Sequence, residues 1–134
     1  MANSPLETQK DLINRLRSNL PAGYTDATLK KPNAPFDTPT NTKWLRATVL
    51  FEEAANVTPD LYQRIFGIFV IDSFVPKGSG DQAQLSDAEL LRATFQNVEF
   101  GQTKTQETSI QTIGETESWY HVQISTNFYL EGAI

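Results

Sequence analysis

Residues 64–75 constrain the fold more than any other stretch. Alternate side chains of an extended chain point to opposite faces. Here Ile65, Phe69 and Ile71 point one way, and Phe66, Ile68, Val70 and Phe74 point the other. A strand with two apolar faces needs cover on both. It is then either central and wrapped by the chain's own hairpins, or covered on one face by another subunit. Few helices are legible elsewhere, so the second face is where self-association enters the reading.

The rest of the chain supplies the partners of that strand. Ser4, Pro5 and Glu7 form a helix start, with a capping hydroxyl, a proline at the first helical position and a carboxylate that can reach back. Ile13, Leu16 and Leu20 follow at helical spacing until Pro21 and Gly23, which predicts a helix over 5–20. Residues 44–53 alternate: Leu45, Ala47, Val49 and Phe51 on one face, Arg46, Thr48 and Glu52 on the other. Residues 56–60, with Pro59, read as a turn. A second capping pattern at Ser86 and Glu89, followed by Leu91, Phe95 and Val98, predicts a helix over 86–97, or one that starts a turn earlier. Residues 103–113 are rich in Thr and Gln and read as an exposed or edge strand. Gly114-Glu115 reads as a hairpin turn, and 120–130 alternate cleanly as the last strand.

The order is therefore α-β-β-α-β-β. It predicts an α+β fold: a mainly antiparallel four-stranded sheet with two helices packed on one face. The whole chain, 1–134, reads as a single domain, the usual outcome at this length. Residues 22–43 carry Pro32, Pro35 and Pro39 and no period, so they form a loop or an arm. Phe36 is the natural anchor if that arm orders against a neighbour.

Residue types narrow the chemistry. There is no Cys, which removes disulfides and thiolate metal sites. The first ten residues lack the basic and apolar regions of a signal peptide, and no apolar run approaches a membrane span. A net charge of -5 disfavours phosphate-rich partners over the surface as a whole. The single His121 falls on the polar face of the last strand, where it reads as a surface residue. Lys77-Gly78-Ser79-Gly80 joins a strand to a helix but lacks the phosphate-loop order, and Asp81 would repel a phosphate. No catalytic residue, cofactor or metal is expected.

The run Trp44-Leu45-Arg46-Ala47 follows a Pro-rich segment. Gly67-Ile68-Phe69-Val70-Ile71-Asp72 leads into Pro76-Lys77-Gly78-Ser79-Gly80, and a helix with Ala88, Leu91 and Phe95 comes next. Together these resemble phage tail terminator-like proteins, the minor tail protein U type of long non-contractile tails, over most of the chain. The resemblance implies a structural virion protein, not an enzyme. It implies a homo-oligomeric, hexameric ring that caps the tail tube at its head-proximal end and ends its polymerisation. Its partners would be itself, the tail tube protein and a head–tail connector or neck protein. DNA would only pass through the lumen, and no membrane is involved. Assembly would take place in the host cytoplasm. A head–tail connector or tail-completion protein, and an α+β ligand-binding adaptor, are the competing readings.

Aromatic residues and Arg are enriched at interfaces. Trp44, Arg46, Phe66, Ile68, Val70 and Phe36 are therefore the candidate subunit interface. Lys77, Gly78, Ser79 and Gly80 are the candidate loop for tube or neck contact.

Overall fold

The computed structural model describes residues 4–52, 55, 56 and 62–133. Residues 57–60 of the expected turn lie outside them. Helix α1 spans Pro5–Ser18. The Ser4 hydroxyl accepts the Glu7 N–H at 3.2 Å, and Pro5 sits where no backbone donor is needed. The helix stops short of the expected residue 20. Asn19 closes it, with its backbone N–H on the Leu16 carbonyl and its side-chain amide on the Arg15 carbonyl at 2.8 Å.

Among the described residues seven strands follow: β1 (Leu29–Lys30), β2 (Trp44–Phe51), β3 (Ala55–Asn56), β4 (Tyr62–Pro76), β5 (Glu99–Phe100), β6 (Thr103–Thr116) and β7 (Trp119–Ala133). Helix α2, Gln82–Phe95, lies between β4 and β5. The sheet order is β1-β2-β4-β7-β6-β5, with β3 paired to β4 off that path. The pairing of β1 with β2 is parallel and the others are antiparallel.

This corrects the expected four-stranded, mainly antiparallel sheet with helices on one face. The chain builds a mixed sheet curled into a half-barrel. The physical reasons are two. Strands as short as β1, β3 and β5 carry no readable alternation. The long strands β4 and β7 each run for 15 residues, and strand twist accumulates with length until a sheet coils.

Odd-numbered residues of β4 line the hollow of the curl. Ile65, Phe69 and Ile71 are buried there with Leu45 and Ala47 of β2 and Val122, Ile124 and Phe128 of β7. Leu12 and Leu16 of α1, and Ala88, Leu91 and Phe95 of α2, fill the same core. Each fully buried Leu or Phe side chain stabilises the fold by about 1.5–3 kcal/mol. Gly67 has a steric reason. A Cβ there would run into the Phe128 ring and the Leu50 carbonyl, so only glycine lets that ring cross the strand.

Polar contacts fix the helices. Gln102 and Thr103 both donate to the Thr8 hydroxyl, at 3.0 and 3.1 Å, and pin the first turn of α1 to the start of β6. Arg15 Nε donates to the Thr94 carbonyl at 2.8 Å and joins the helices to each other. Helix α2 starts at Gln82, one turn before Ser86, the earlier of the two starts the sequence leaves open. Gln84 lies in its first turn, buried, and donates to the Ser73 and Tyr120 carbonyls at 3.0 and 3.1 Å.

Residues 22–43 lie partly on the chain's own core. Tyr24 and Leu29 are buried, and Leu29 pairs with Leu45 at the sheet edge. The hairpin also differs from expectation. Strands β6 and β7 pair through Thr116 and Trp119, so the turn is Glu117-Ser118. Gly114, at φ 108, sits at a register shift within β6 instead.

Candidate protein–protein interface

Residues directly opposite each other in a sheet share a face. Trp44 pairs with Phe74, Arg46 with Asp72, Thr48 with Val70 and Leu50 with Ile68. Trp44, Arg46, Phe66, Ile68 and Val70 therefore project from one face, the one turned away from the helices. Phe36 joins them, its ring 5.4 Å from that of Trp44. The geometry puts all six on one face, with Phe36, Trp44 and Arg46 toward one end and Phe66 eight residues along β4 from Phe74, the partner of Trp44. It does not expose them equally: Trp44 is enclosed, stacked on Phe74 at 4.4 Å and edge-on to Trp119 at 5.9 Å.

Three zones divide this face. The first is a polar cluster on Asp72, whose side chain is only 4% exposed. One carboxylate oxygen accepts from Arg46 Nε and Nη2, both at 3.0 Å. The other faces His121 Nε2 at 2.7 Å and accepts from Gln123 at 3.1 Å. The His121 ring stacks on Phe74 at 4.4 Å. His121 is thus largely enclosed and ties β7 to β4. Sequence reasoning left it on the surface because the register that sets it opposite Phe74 and beside Asp72 is not local.

The second zone lies at the other end. Glu131 accepts from Arg64 at 2.7–2.8 Å and faces Lys104 at 3.4 Å. The Arg64 guanidinium holds the Glu131 carboxyl below its usual range, with Lys104 adding to the effect. The same carboxylate holds the Lys104 ammonium above its usual range. Arg64 and Lys104 also flank the Tyr129 ring, at 5.0 and 5.8 Å, and Tyr129 leans on Phe66.

The third zone is the belt between them. Thr48, Leu50, Ile68, Val70, Ser125 and Asn127 carry no charge and are all at least partly accessible. Leu50 is 55% exposed and Phe66 37%. Leu50 was missed in the sequence, although it continues the Arg46, Thr48 alternation and is the apolar residue of an otherwise polar set.

The loop Lys77, Gly78, Ser79 and Gly80 is exposed and lies apart from this face, beside the hairpin tip. Lys77 N–H donates to the Ser118 carbonyl at 3.0 Å, and the Ser79 hydroxyl to the Pro76 carbonyl at 2.6 Å. Gly78 and Gly80 have φ of 86 and 82, with open space where a side chain would stand, so backbone conformation alone calls for glycine there. A shallow groove of about 260 Å³ separates this loop from Glu115 and Tyr120. Among the described residues no three His, Asp or Glu side chains converge as a metal site would require.

A family model described as phage tail terminator protein matches residues 9–128. A search of curated protein sequences returns no match. Among solved structures, one chain superposes with a TM-score of 0.70 at 19% sequence identity, covering 99% of each chain. At that identity the likeness establishes the fold.

Proposed function

The chain belongs to the phage tail terminator proteins, structural components of phage tails that contact other tail components, and from that premise we propose that it closes into a hexameric ring on the end of the tail tube. The ring ends tube growth, presents its far side to the head and leaves a lumen through which DNA passes. Its place is the head-proximal end of the tail, and it assembles in the host cytoplasm.

The observation that carries this reading is the uncharged belt between two ion-paired ends. Charged residues are depleted from the cores of protein interfaces, and their rims are polar. Leu50, Phe66, Ile68 and Val70 lie on a face where Arg46 is paired with Asp72 and Arg64 with Glu131, while the exposed Glu52 stands at the margin beside Leu50 and Phe66. A neighbouring copy packed on the belt desolvates apolar area, with the paired clusters and Glu52 at its polar rim. The exposed loop at Lys77–Gly80 is the part offered to tube or neck protein.

Solution mass by light scattering, followed by negative-stain images with purified tail tubes, tests the proposal. A multiple of the chain mass, or one cap at one tube end, is the expected result. A protein that stays monomeric and ignores tube ends would remove it.

A further inference from the structure

A strand at the border of a sheet presents unpaired backbone donors and acceptors, and natural proteins blunt such borders with Lys, Pro or a covering element. This sheet has two borders that are only partly covered. On one side β1 pairs with Leu45 and Arg46 alone, and among the described residues no strand pairs with 47–51 on that side. On the other side β5 pairs with Thr103 and Lys104. The Asn97, Val98 and Gln96 groups then serve Thr105, Gln106 and Thr108. From Ser109 on, no backbone partner lies on the outer side among the described residues. Neither 47–51 nor 109–113 contains Lys, Arg, Pro or any charged residue.

The directions of these borders fit each other. Strands β2, β4, β7 and β6 are antiparallel in succession, so β2 and β6 run in opposite senses. If rotation about a ring axis carries one copy to the next, the β6 of one copy meets the β2 of its neighbour antiparallel. The free stretches are equal in length, and the register shift after Thr112 ends the regular border of β6 near Gly114. A contact between two different borders of the same chain is heterologous, and it closes into a ring when the rotation permits.

We infer that residues 109–113 of one copy add as a strand to residues 47–51 of the next, so that the sheet continues across subunits. This rests on the ring reading above and specifies its joint. The register that keeps the faces aligned is offset by one residue from full overlap: it sets Ser109 of one copy opposite Leu50 of the neighbour and Gln111 opposite Thr48, which covers part of the belt.

Hydrogen exchange and disulfide trapping test the joint, and the cysteine-free chain makes the trapping clean. Amides within 47–51 and 109–113 are expected to exchange about tenfold more slowly, or slower still, in the assembled protein than in dilute monomer. Pairs of cysteines, Thr48→Cys or Leu50→Cys combined with Ser109→Cys or Gln111→Cys, are expected to give an oxidised ladder of multimers. Each single variant stops at a dimer or below. Assemblies that form, in solution or on tube ends, with neither stretch slowed and no ladder from any pair would overturn the joint and leave the ring intact. Absence of any assembly overturns the ring reading and the joint with it.

Discussion

Without its charge, the Asp72 side chain would leave Arg46 and His121 facing a neutral amide at a position only 4% exposed. Removing one partner of a buried charged group costs several kcal/mol when all partners are enclosed. Arg46 is 40% exposed and water recovers part of the loss. Asp72→Asn is therefore expected to lower stability by about 2 kcal/mol in urea denaturation. A loss below about 0.5 kcal/mol, the range of ordinary surface substitutions, would mean that the cluster does not bind the strands together. Tyr24 makes a pH prediction. Burial pushes its phenol from 10.0 up to about 12. The folded chain keeps this proton where the unfolded chain has released it. The associated stability is thus fully present below pH 10 and is lost as pH rises through about 12. Between those values wild type should lose up to about 2 kcal/mol more than Tyr24→Phe, read from denaturation at each pH. Parallel curves would show that the phenol is not shielded as the structure has it.

Secondary structure elements were legible wherever the signal was local. The start of α1 could be read because Ser4, Pro5 and Glu7 each act within one turn. The start of α2 is legible only to within a turn, because Ser86 and Glu89 imitate a cap inside a helix whose first turn is held by Gln84 reaching Ser73 and Tyr120. Gly114 reads as a turn because a glycine in a bulge and a glycine in a turn look alike in sequence. The actual turn places Glu117 at φ 51, a left-handed conformation that costs a non-glycine residue roughly 1 kcal/mol. Glu117→Gly should raise stability by about that amount in the same assay, less the added flexibility of the unfolded chain. A destabilised variant would instead assign the Glu117 side chain a contact of its own.

At the scale of the whole molecule, the two-faced strand was the most informative stretch of sequence. Its odd residues reached the core, and its even residues gathered with Trp44, Arg46 and Phe36 on one face. The curl was not legible, because it comes from twist summed over long strands and from short pairings at the borders. Nor were the ion-paired ends, which depend on register between distant segments. Leu50→Lys probes this scale. Leu50 is already 55% exposed, so monomer stability should change by no more than about 0.5 kcal/mol. A cation in the belt should raise the concentration for half-assembly by about tenfold or more, followed by light scattering. Unchanged assembly would mean that the belt is not a contact surface.

The register of β4 with β7 has a mechanical meaning as well. The strands face each other through fifteen successive residue pairs, from Tyr62 opposite Ala133 to Pro76 opposite Trp119. Tension applied along these strands in opposite directions loads the whole ladder at once, in shear. Tension applied across the sheet opens the same ladder rung by rung, like a zipper. The molecule is therefore stiff along one axis and compliant across it. Whatever pulls on it meets resistance set by direction as much as by total stability.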